Sequence, residues 1–299
     1  MILEGDEMRF VDGIVDRLVN PPRGCSSERL RAEVEGKTIL VTGASYGLGE
    51  ATARLLGAAG ATVLLAARTT EKLDEVFASI TVGGGRAWAY PVDLADRDAI
   101  SLLARRITET HGPLDVMVNN AGKSIRRSLD LQQDRPQDFE RTIDINYLGP
   151  VRLLLELLPP MRAAGAGHVI NVSTIGTRIT PIPRWGSYQA SKGAFDVWLR
   201  SVAPELHHDG VRVSSLYMWL IHTRMSAPTA IMHRLPGLHP NEAADIVAKA
   251  IVERPATLQP WWLRPAGLLS ALAPGVIEAG MRAMFRRSSD SDSARGVRP

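Results

Sequence analysis

Ile39-Leu40-Val41-Thr42-Gly43-Ala44-Ser45-Tyr46-Gly47-Leu48-Gly49 runs from an apolar, strand-like stretch straight into a turn spaced by three glycines. Side chains at those glycines would block a tight turn and hold the backbone amides away from a phosphate. The helix that follows then stabilises the negative charge with its N-terminus. A glycine triplet by itself marks any tight turn. With a strand before it and a helical pattern over Gly47–Ala59 after it, the segment reads as the cradle of a dinucleotide, formed by Gly43, Ser45, Tyr46, Gly47, Leu48 and Gly49.

About twenty residues further on, a site of this kind selects its nucleotide. A carboxylate at the end of the second strand accepts the ribose 2′-OH of NAD. Here that strand ends Ala66-Ala67-Arg68-Thr69-Thr70, without an acid. A guanidinium at Arg68 pairs instead with a 2′-phosphate, which favours NADPH/NADP+ over NADH. The plainer reading of Arg68 is a surface arginine at a strand end.

Outward from the loop, short apolar runs alternate with helical periods. Strands are expected at Thr38–Val41, Thr62–Ala67, Ala87–Val92, Val116–Asn119, His168–Val172 and Val211–Tyr217. Helices are expected at Gly47–Ala59, Glu71–Ile80, Asp96–Thr110, Phe139–Ala163 with a break near Pro150, Tyr188–His207 and Asn241–Glu253, the last capped by Asn241. Such alternation implies right-handed crossovers and a parallel sheet covered on both faces. The fold class is therefore α/β, a doubly wound parallel sheet of the Rossmann type. It is expected as one domain over residues 37–255, with an N-terminal helical arm at 1–36 and a C-terminal helical extension at 256–299. In the arm, Met8, Val11, Ile14, Val15 and Leu18 share one helical face, and Ser26 or Ser27 caps a second short helix ending near Val34. The arm serves as scaffold or oligomer contact. Thr257–Trp262 reads as a last strand, and the Ser/Asp/Arg tail from Ser288 as flexible.

Ser187-Tyr188-Gln189-Ala190-Ser191-Lys192 places a phenol and an ammonium four residues apart, on one face of a helix. A tyrosine is a poor acid/base near neutrality, and a neighbouring ammonium is expected to lower its pKa by stabilising phenolate. The pair alone means little. Its order behind Asp93, Asn119-Asn120-Ala121-Gly122 and Asn146 gives it weight, and over residues 37–255 the chain then resembles the short-chain dehydrogenase/reductase family.

That resemblance implies Tyr188 and Lys192 as the catalytic pair and Asn146 as the holder of a water linking Lys192 to solvent. It implies Asp93 and Leu94 at the adenine, and Asn120, Ala121 and Gly122 as the cofactor wall. Each also has a structural reading: Asp93 as a cap, the Asn-Asn-Ala-Gly run as a turn, Asn146 as a buried amide. The family's carbonyl-orienting hydroxyl falls on Thr174 by register, with Ser173 as the alternative because the segment to Tyr188 is one residue longer than usual. After the sixth strand, Trp219-Leu220 stand where the family commonly has Pro-Gly, and Thr223 is the expected nicotinamide contact. His222 is either a substrate contact or a packed histidine.

The implied reaction is reduction of a ketone or aldehyde, Tyr188 giving its proton to the oxygen. Met225, Ile231, Met232 and Leu235 make the lid after Thr223 greasy, which suits an apolar acyl or polyketide-like substrate. Val172–Gly176 and Ser288–Gly296 are similar to an actinobacterial subgroup of fatty-acyl and β-keto-acyl reductases. Two other readings share the site: an NADPH-binding sensor or complex subunit with weak catalysis, and a dehydrogenase working in the oxidative direction.

Composition bounds the rest. The 299 residues are 45% hydrophobic and 22% charged, with a net charge of +3 and one cysteine, Cys25. This excludes disorder through most of the chain, a disulfide within it and a cysteine metal cluster. No metal is expected. Basic residues are interspersed with acids, so no nucleic-acid partner is expected. The acidic start does not fit a signal peptide, and no apolar run reaches the roughly 20 residues of a membrane span. A cytoplasmic homodimer or homotetramer is expected, with the apolar segment Pro265–Ile277 and Arg282, Arg286 and Arg287 either packing on a subunit or resting on a membrane.

Overall fold

The computed structural model describes residues 18–179, 182–229, 232–233 and 235–296. The helix expected from Met8 and the lid residue Ile231 lie wholly or largely outside these.

Ser26 caps α1 (Ser27–Val34), its hydroxyl accepting from the Arg29 amide. There follow β1 (Thr38–Thr42), α2 (Gly47–Ala58), β2 (Thr62–Ala67), α3 (Thr70–Val82), β3 (Arg86–Pro91), α4 (Arg97–His111) and β4 (Val116–Asn119). The second half comprises α5 (Pro136–Ile143), α6 (Gly149–Ala163), β5 (Gly167–Thr174), α7 (Gly186–His208), β6 (Val211–Met218), α8 (Pro240–Glu253), β7 (Thr257–Leu258), α9 (Leu263–Leu272) and α10 (Pro274–Arg287). The sheet runs β3-β2-β1-β4-β5-β6-β7, every pairing parallel. This is the doubly wound sheet that the alternation implied. The order reverses between β1 and β4, where ligands bind at the carboxyl ends of the strands in such sheets.

Alternation along each strand divides the core between two faces. Val41, Val63, Val118 and Ile170 pack with Leu56 of α2 and Ile246 of α8. Leu40, Leu64, Met117 and Val169 face Ile100 of α4, Leu154 of α6 and Phe195 of α7. Burial on both faces explains why the strands read as continuous apolar runs.

Four details depart from the sequence reading. The expected break near Pro150 is a single π turn, Asp144–Leu148, joining α5 to α6, with Pro150 in the first turn of α6, where no amide donor is needed. His239, not Asn241, caps α8: Pro240 occupies the first turn and the Glu242 carboxylate accepts from the His239 amide at 2.9 Å. The last strand stops at Leu258, because Pro260 supplies no amide and the chain turns into α9. The tail is pinned at its start rather than loose. Arg184 donates to the Ser288 hydroxyl at 2.6 Å and to its carbonyl at 2.9 Å, and the Ser128 amide donates to Asp290 at 2.8 Å.

Candidate active site

The glycine loop is tied to the end of β4. Gly43 and Gly47 have φ of +67° and +56°, a left-handed backbone that glycine adopts without strain. A Cβ on Gly49 would fall 2.1 Å from the Gly43 carbonyl oxygen and 2.6 Å from Asn120 Nδ2, so the helix start and the β4 turn meet with no room for a side chain. The Thr42 hydroxyl accepts from the amides of Asn120 and Ala121, both at 3.0 Å, while Asn120 Nδ2 donates to the Thr42 carbonyl at 2.9 Å. Asn120 and Ala121 thus set the distance between two walls of one cleft.

That cleft is a cavity of about 970 Å³ lined along one side by Gly43, Ser45, Tyr46, Gly47, Leu48, Arg68, Asp93, Leu94, Asn120, Ala121 and Gly122. Arg68 is 61% exposed and its guanidinium stands 3.9 Å from Asp93, too far for a firm hydrogen bond. Asp93 also accepts from the Ala95 amide at 3.0 Å in a local turn, while the cap of α4 is Asp96, which accepts from the amides of Asp98 and Ala99. Lys123, which sequence reasoning did not single out, adds positive charge here. Burial first, then the neighbouring Arg68 and Arg141, hold its ammonium below the usual lysine range. Its signal was its position directly after Gly122. Arg224 lies over the Tyr46 ring at 5.0 Å, closing the same end. A glycine cradle that a Cβ would fill, with a cluster of cations at its far end and no carboxylate closing the β2 terminus, fits a dinucleotide carrying a 2′-phosphate.

The other end gathers the chemistry. Tyr188 and Lys192 project into the cavity from the first two turns of α7, and Thr174 enters it from the end of β5. Burial pushes the Tyr188 phenol up to about 12, and the Thr174 hydroxyl within its reach offsets part of that. Burial pushes Lys192 down to about 8. Its Nζ donates to the Val172 carbonyl at 3.0 Å. The lowering of Tyr188 expected from spacing is opposed by burial, the largest influence on the phenol. Ser173, in the next position of the strand, has its hydroxyl 3.4 Å from that of Thr177. Both hydroxyls left open by the sequence line the cavity, and that of Thr174 is the one near enough to the phenol to offset part of its burial.

Asn146 occupies the π turn and is held there by three hydrogen bonds. Oδ1 accepts from the Lys123 amide at 2.8 Å; Nδ2 donates to the Lys123 carbonyl at 2.9 Å and to Ser191 Oγ at 2.8 Å. It braces the cofactor wall against α7. Gly122 must stay small, because a Cβ there would stand 3.1 Å from Asn146 Oδ1 and 3.3 Å from Lys192 Nζ. The π turn places this amide facing inward, and such bulges are frequent at functional sites.

Beyond Tyr188 the wall turns apolar. Ile182, Pro183, Trp185, Trp219, Met232 and Leu235 line it, and Met284 closes it from α10. Thr223 lines the cavity too. His222 instead sets its ring against His239, 5.9 Å between centroids, which settles it as a packed histidine. Trp185 and Arg184 were missed in the sequence because no local pattern marks them.

A dinucleotide cradle at one end of a cleft and a tyrosine, lysine and threonine at the other define a class: oxidoreductases that pair a bound nucleotide with a phenolic acid. Residues 37–233 match the family described as short chain dehydrogenase. An uncharacterised oxidoreductase of Mycobacterium tuberculosis is 38% identical over 313 aligned positions, covering 98% of this chain and 92% of its own. A fatty acyl-CoA reductase of Acinetobacter baylyi is 42% identical over 266 positions, covering 89% and 90%. The solved structure of a metagenomic short-chain oxidoreductase in complex with NADP is 35% identical with a TM-score of 0.64, over 74% of this chain and 92% of that one. The chain belongs to the short-chain dehydrogenase/reductase family and is an oxidoreductase.

Proposed function

We propose that this enzyme uses NADPH to reduce the carbonyl of a long apolar acyl group, with a fatty acyl thioester as the leading substrate class. NADPH, when bound, supplies the hydride for the carbonyl carbon. Gly43 to Gly49 hold its pyrophosphate, Arg68 with Lys123 nearby its 2′-phosphate, Asp93 and Leu94 its adenine, and Thr223 its nicotinamide amide. Lys192 holds the ribose and presents a positive charge beside the reacting oxygen. Thr174 fixes that oxygen against Tyr188. The Tyr188 phenol, raised by burial, is the proton donor in that reduction. As the carbonyl carbon gains two electrons, its oxygen takes the Tyr188 proton, so no free alkoxide accumulates. For a thioester, loss of the thiol from the resulting hemithioacetal leaves the aldehyde.

The observation that carries this reading is the set of apolar side chains lining the cavity with Tyr188, among them Ile182, Trp185, Trp219, Met232 and Leu235. Methionines adapt to irregular apolar shapes. The relatives named fatty acyl-CoA reductases support the same substrate class. Against a non-catalytic sensor stands the Thr174 hydroxyl, which lines the cavity with Tyr188 and offsets part of the burial of the phenol.

The test follows NADPH absorbance with palmitoyl-CoA and with acetyl-CoA. Palmitoyl-CoA should be turned over with the far higher kcat/KM, and Tyr188→Phe should lower kcat by about 10²–10⁴-fold while NADPH still binds. Equal turnover of the two thioesters would overturn the substrate class, and Tyr188→Phe with near wild-type kcat would overturn the mechanism.

A further inference from the structure

The two helices that follow the sheet leave the body with very little beneath them. α9 buries a single residue, Leu263, and α10 buries none. They meet at a bend of 107°. The residues they turn outward are large and apolar: Leu268, Leu269 and Leu272 on α9, the last 75% exposed, and Val276 on α10, 69% exposed. Along α10 apolar or small residues recur at Val276 and Ile277, Gly280 and Met281, Met284 and Phe285, the four-residue spacing of one helical stripe. A helix of fourteen residues with nothing buried is marginal in water by itself.

Charge says what covers it. From Trp261 to Arg287 the segment carries Arg264, Arg282, Arg286 and Arg287 against one acid, Glu278, which already stands 4.0 Å from Arg282. Two copies meeting face to face about a two-fold axis would bring these guanidiniums together, since such an interface pairs a patch with itself. An anionic lipid surface complements them and takes up the apolar stripe. The same helix also reaches the site: Met284 and Ser288 line the cavity, and Phe285 lies under the Arg184 guanidinium at 4.3 Å.

We propose that α9 and α10 form a docking platform for an anionic membrane surface, through which a long-chain substrate passes from the bilayer into the cavity beside Met284. The substrate part of this rests on the acyl reading above; the docking part does not. Among the described residues no single helix is long and apolar enough to cross a membrane, and α9 with α10 reaches that length only as a pair broken by the 107° bend, a shape that lies along an interface. The apolar stripe sinks to the level of the acyl chains and the arginines stay with the headgroups.

The experiment is co-sedimentation of the full chain with phosphatidylglycerol and with phosphatidylcholine vesicles. It is run with wild type, Leu268→Ser/Leu272→Ser/Val276→Ser and Arg282→Gln/Arg286→Gln, with gel filtration of each in parallel. None of the five substituted side chains lines the cavity. Wild type should sediment with phosphatidylglycerol and lose that binding in high salt. The apolar triple variant should partition at least about tenfold more weakly, and the arginine variant should lose the preference for the anionic lipid. Turnover of a soluble short-chain thioester by the triple variant should equal that of wild type, whereas turnover of a vesicle-held long-chain substrate should fall with binding. Failure of wild type to sediment, or triple-variant partitioning equal to wild type, overturns the platform. So does an assembly that the triple substitution breaks into monomers without any change in lipid binding, which would assign the surface to a second copy. Vesicle binding without turnover of any acyl thioester would leave the platform standing and overturn the acyl reading, and the reverse result would do the opposite.

Discussion

Asp290→Ala would test whether the chain's end shapes the pocket. The Asp290 carboxylate stands 3.4 Å from Arg184 Nε, the two side chains being 10% and 7% exposed. Removing one partner of a pair this buried typically costs about 3–5 kcal/mol, because the other charge stays behind uncompensated. Arg184 retains its two bonds to Ser288, which places the loss near about 3 kcal/mol. The loss is also capped, since the tail can undock locally at its own docking free energy and leave the core folded. Undocking matters because of what Arg184 holds. Its backbone has φ of +71°, a conformation that disfavours side chains by about 1–2 kcal/mol, kept in place by the tail and by the Arg127 amide donating to its carbonyl at 2.8 Å. Pro183 and Trp185 on either side line the cavity, and Arg126, which donates to the Ser289 carbonyl, lies over the Trp185 ring at 5.1 Å. Freed, Arg184 relaxes and carries that wall with it. The expected result is faster amide exchange over residues 182–186 and 288–296 and a KM for long-chain substrate raised about tenfold, ~1.4 kcal/mol. NADPH affinity should stay the same, since the Gly43–Gly49 cradle is untouched. Unchanged exchange at 182–186 with unchanged KM would refute the link between tail and pocket.

Thr174→Val should lower kcat by about 10²-fold, the scale of one lost donor at a reacting oxygen, whereas Ser173→Ala should stay within about tenfold of wild type. Steady-state kinetics of the two variants decides between them, and the reverse ranking would move the role to Ser173. Arg68→Ala should weaken NADPH by about 10–100-fold, one charge-assisted contact, and leave NADH nearly unchanged; fluorescence titration of both nucleotides reads this directly. His168, buried with Nε2 2.8 Å from Ser214 Oγ, is held neutral with its pKa down at about 3 by burial. Its folded pKa lies below the unfolded value near 6.5, so the fold keeps its full stability above about pH 6.5 and loses up to ~1.4 kcal/mol per unit as pH falls toward 3. His168→Gln should flatten that part of the melting-temperature profile, and an equally steep profile in the variant would place the acid sensitivity elsewhere.

What the sequence revealed and what it hid follow from how far apart the cooperating residues stand. Strands β2 and β4 carry the bounds expected of them, and the other four early strands differ by no more than two residues at either end, because doubly buried strands are local apolar runs. The glycine loop was legible for the same reason, its meaning held within eight residues. The π turn was not: Asp144–Leu148 has no composition that marks it, and it exists because Asn146 finds three partners in Lys123 and Ser191, tens of residues away in both directions. The pocket wall was hidden more deeply. Arg184 and Asp290 are separated by most of the substrate half of the chain, and a Ser/Asp/Arg tail looks solvated until a buried guanidinium is found waiting for it.

The expectation that Lys192 would draw Tyr188 toward phenolate shows the same boundary in energetic form. Spacing correctly placed the two on one helical face, but it cannot express how much water the fold removes around them. Burial acts on both groups toward neutrality, raising the phenol to about 12 and lowering the ammonium to about 8. For a donor to a developing alkoxide that bias is useful. In the proposed reduction the proton would stay on Tyr188 until a stronger base, the oxygen receiving hydride, forms within reach. Lys192 would then act on the transition state, where negative charge is spread over the oxygen and Tyr188 as the proton moves, and its burial makes that stabilisation larger than at a surface. Thr174, whose hydroxyl offsets part of the burial of the phenol, would steer that transfer in the proposed reaction, and so the partner that departs from the family's usual serine is the one whose substitution should be felt most after Tyr188 itself.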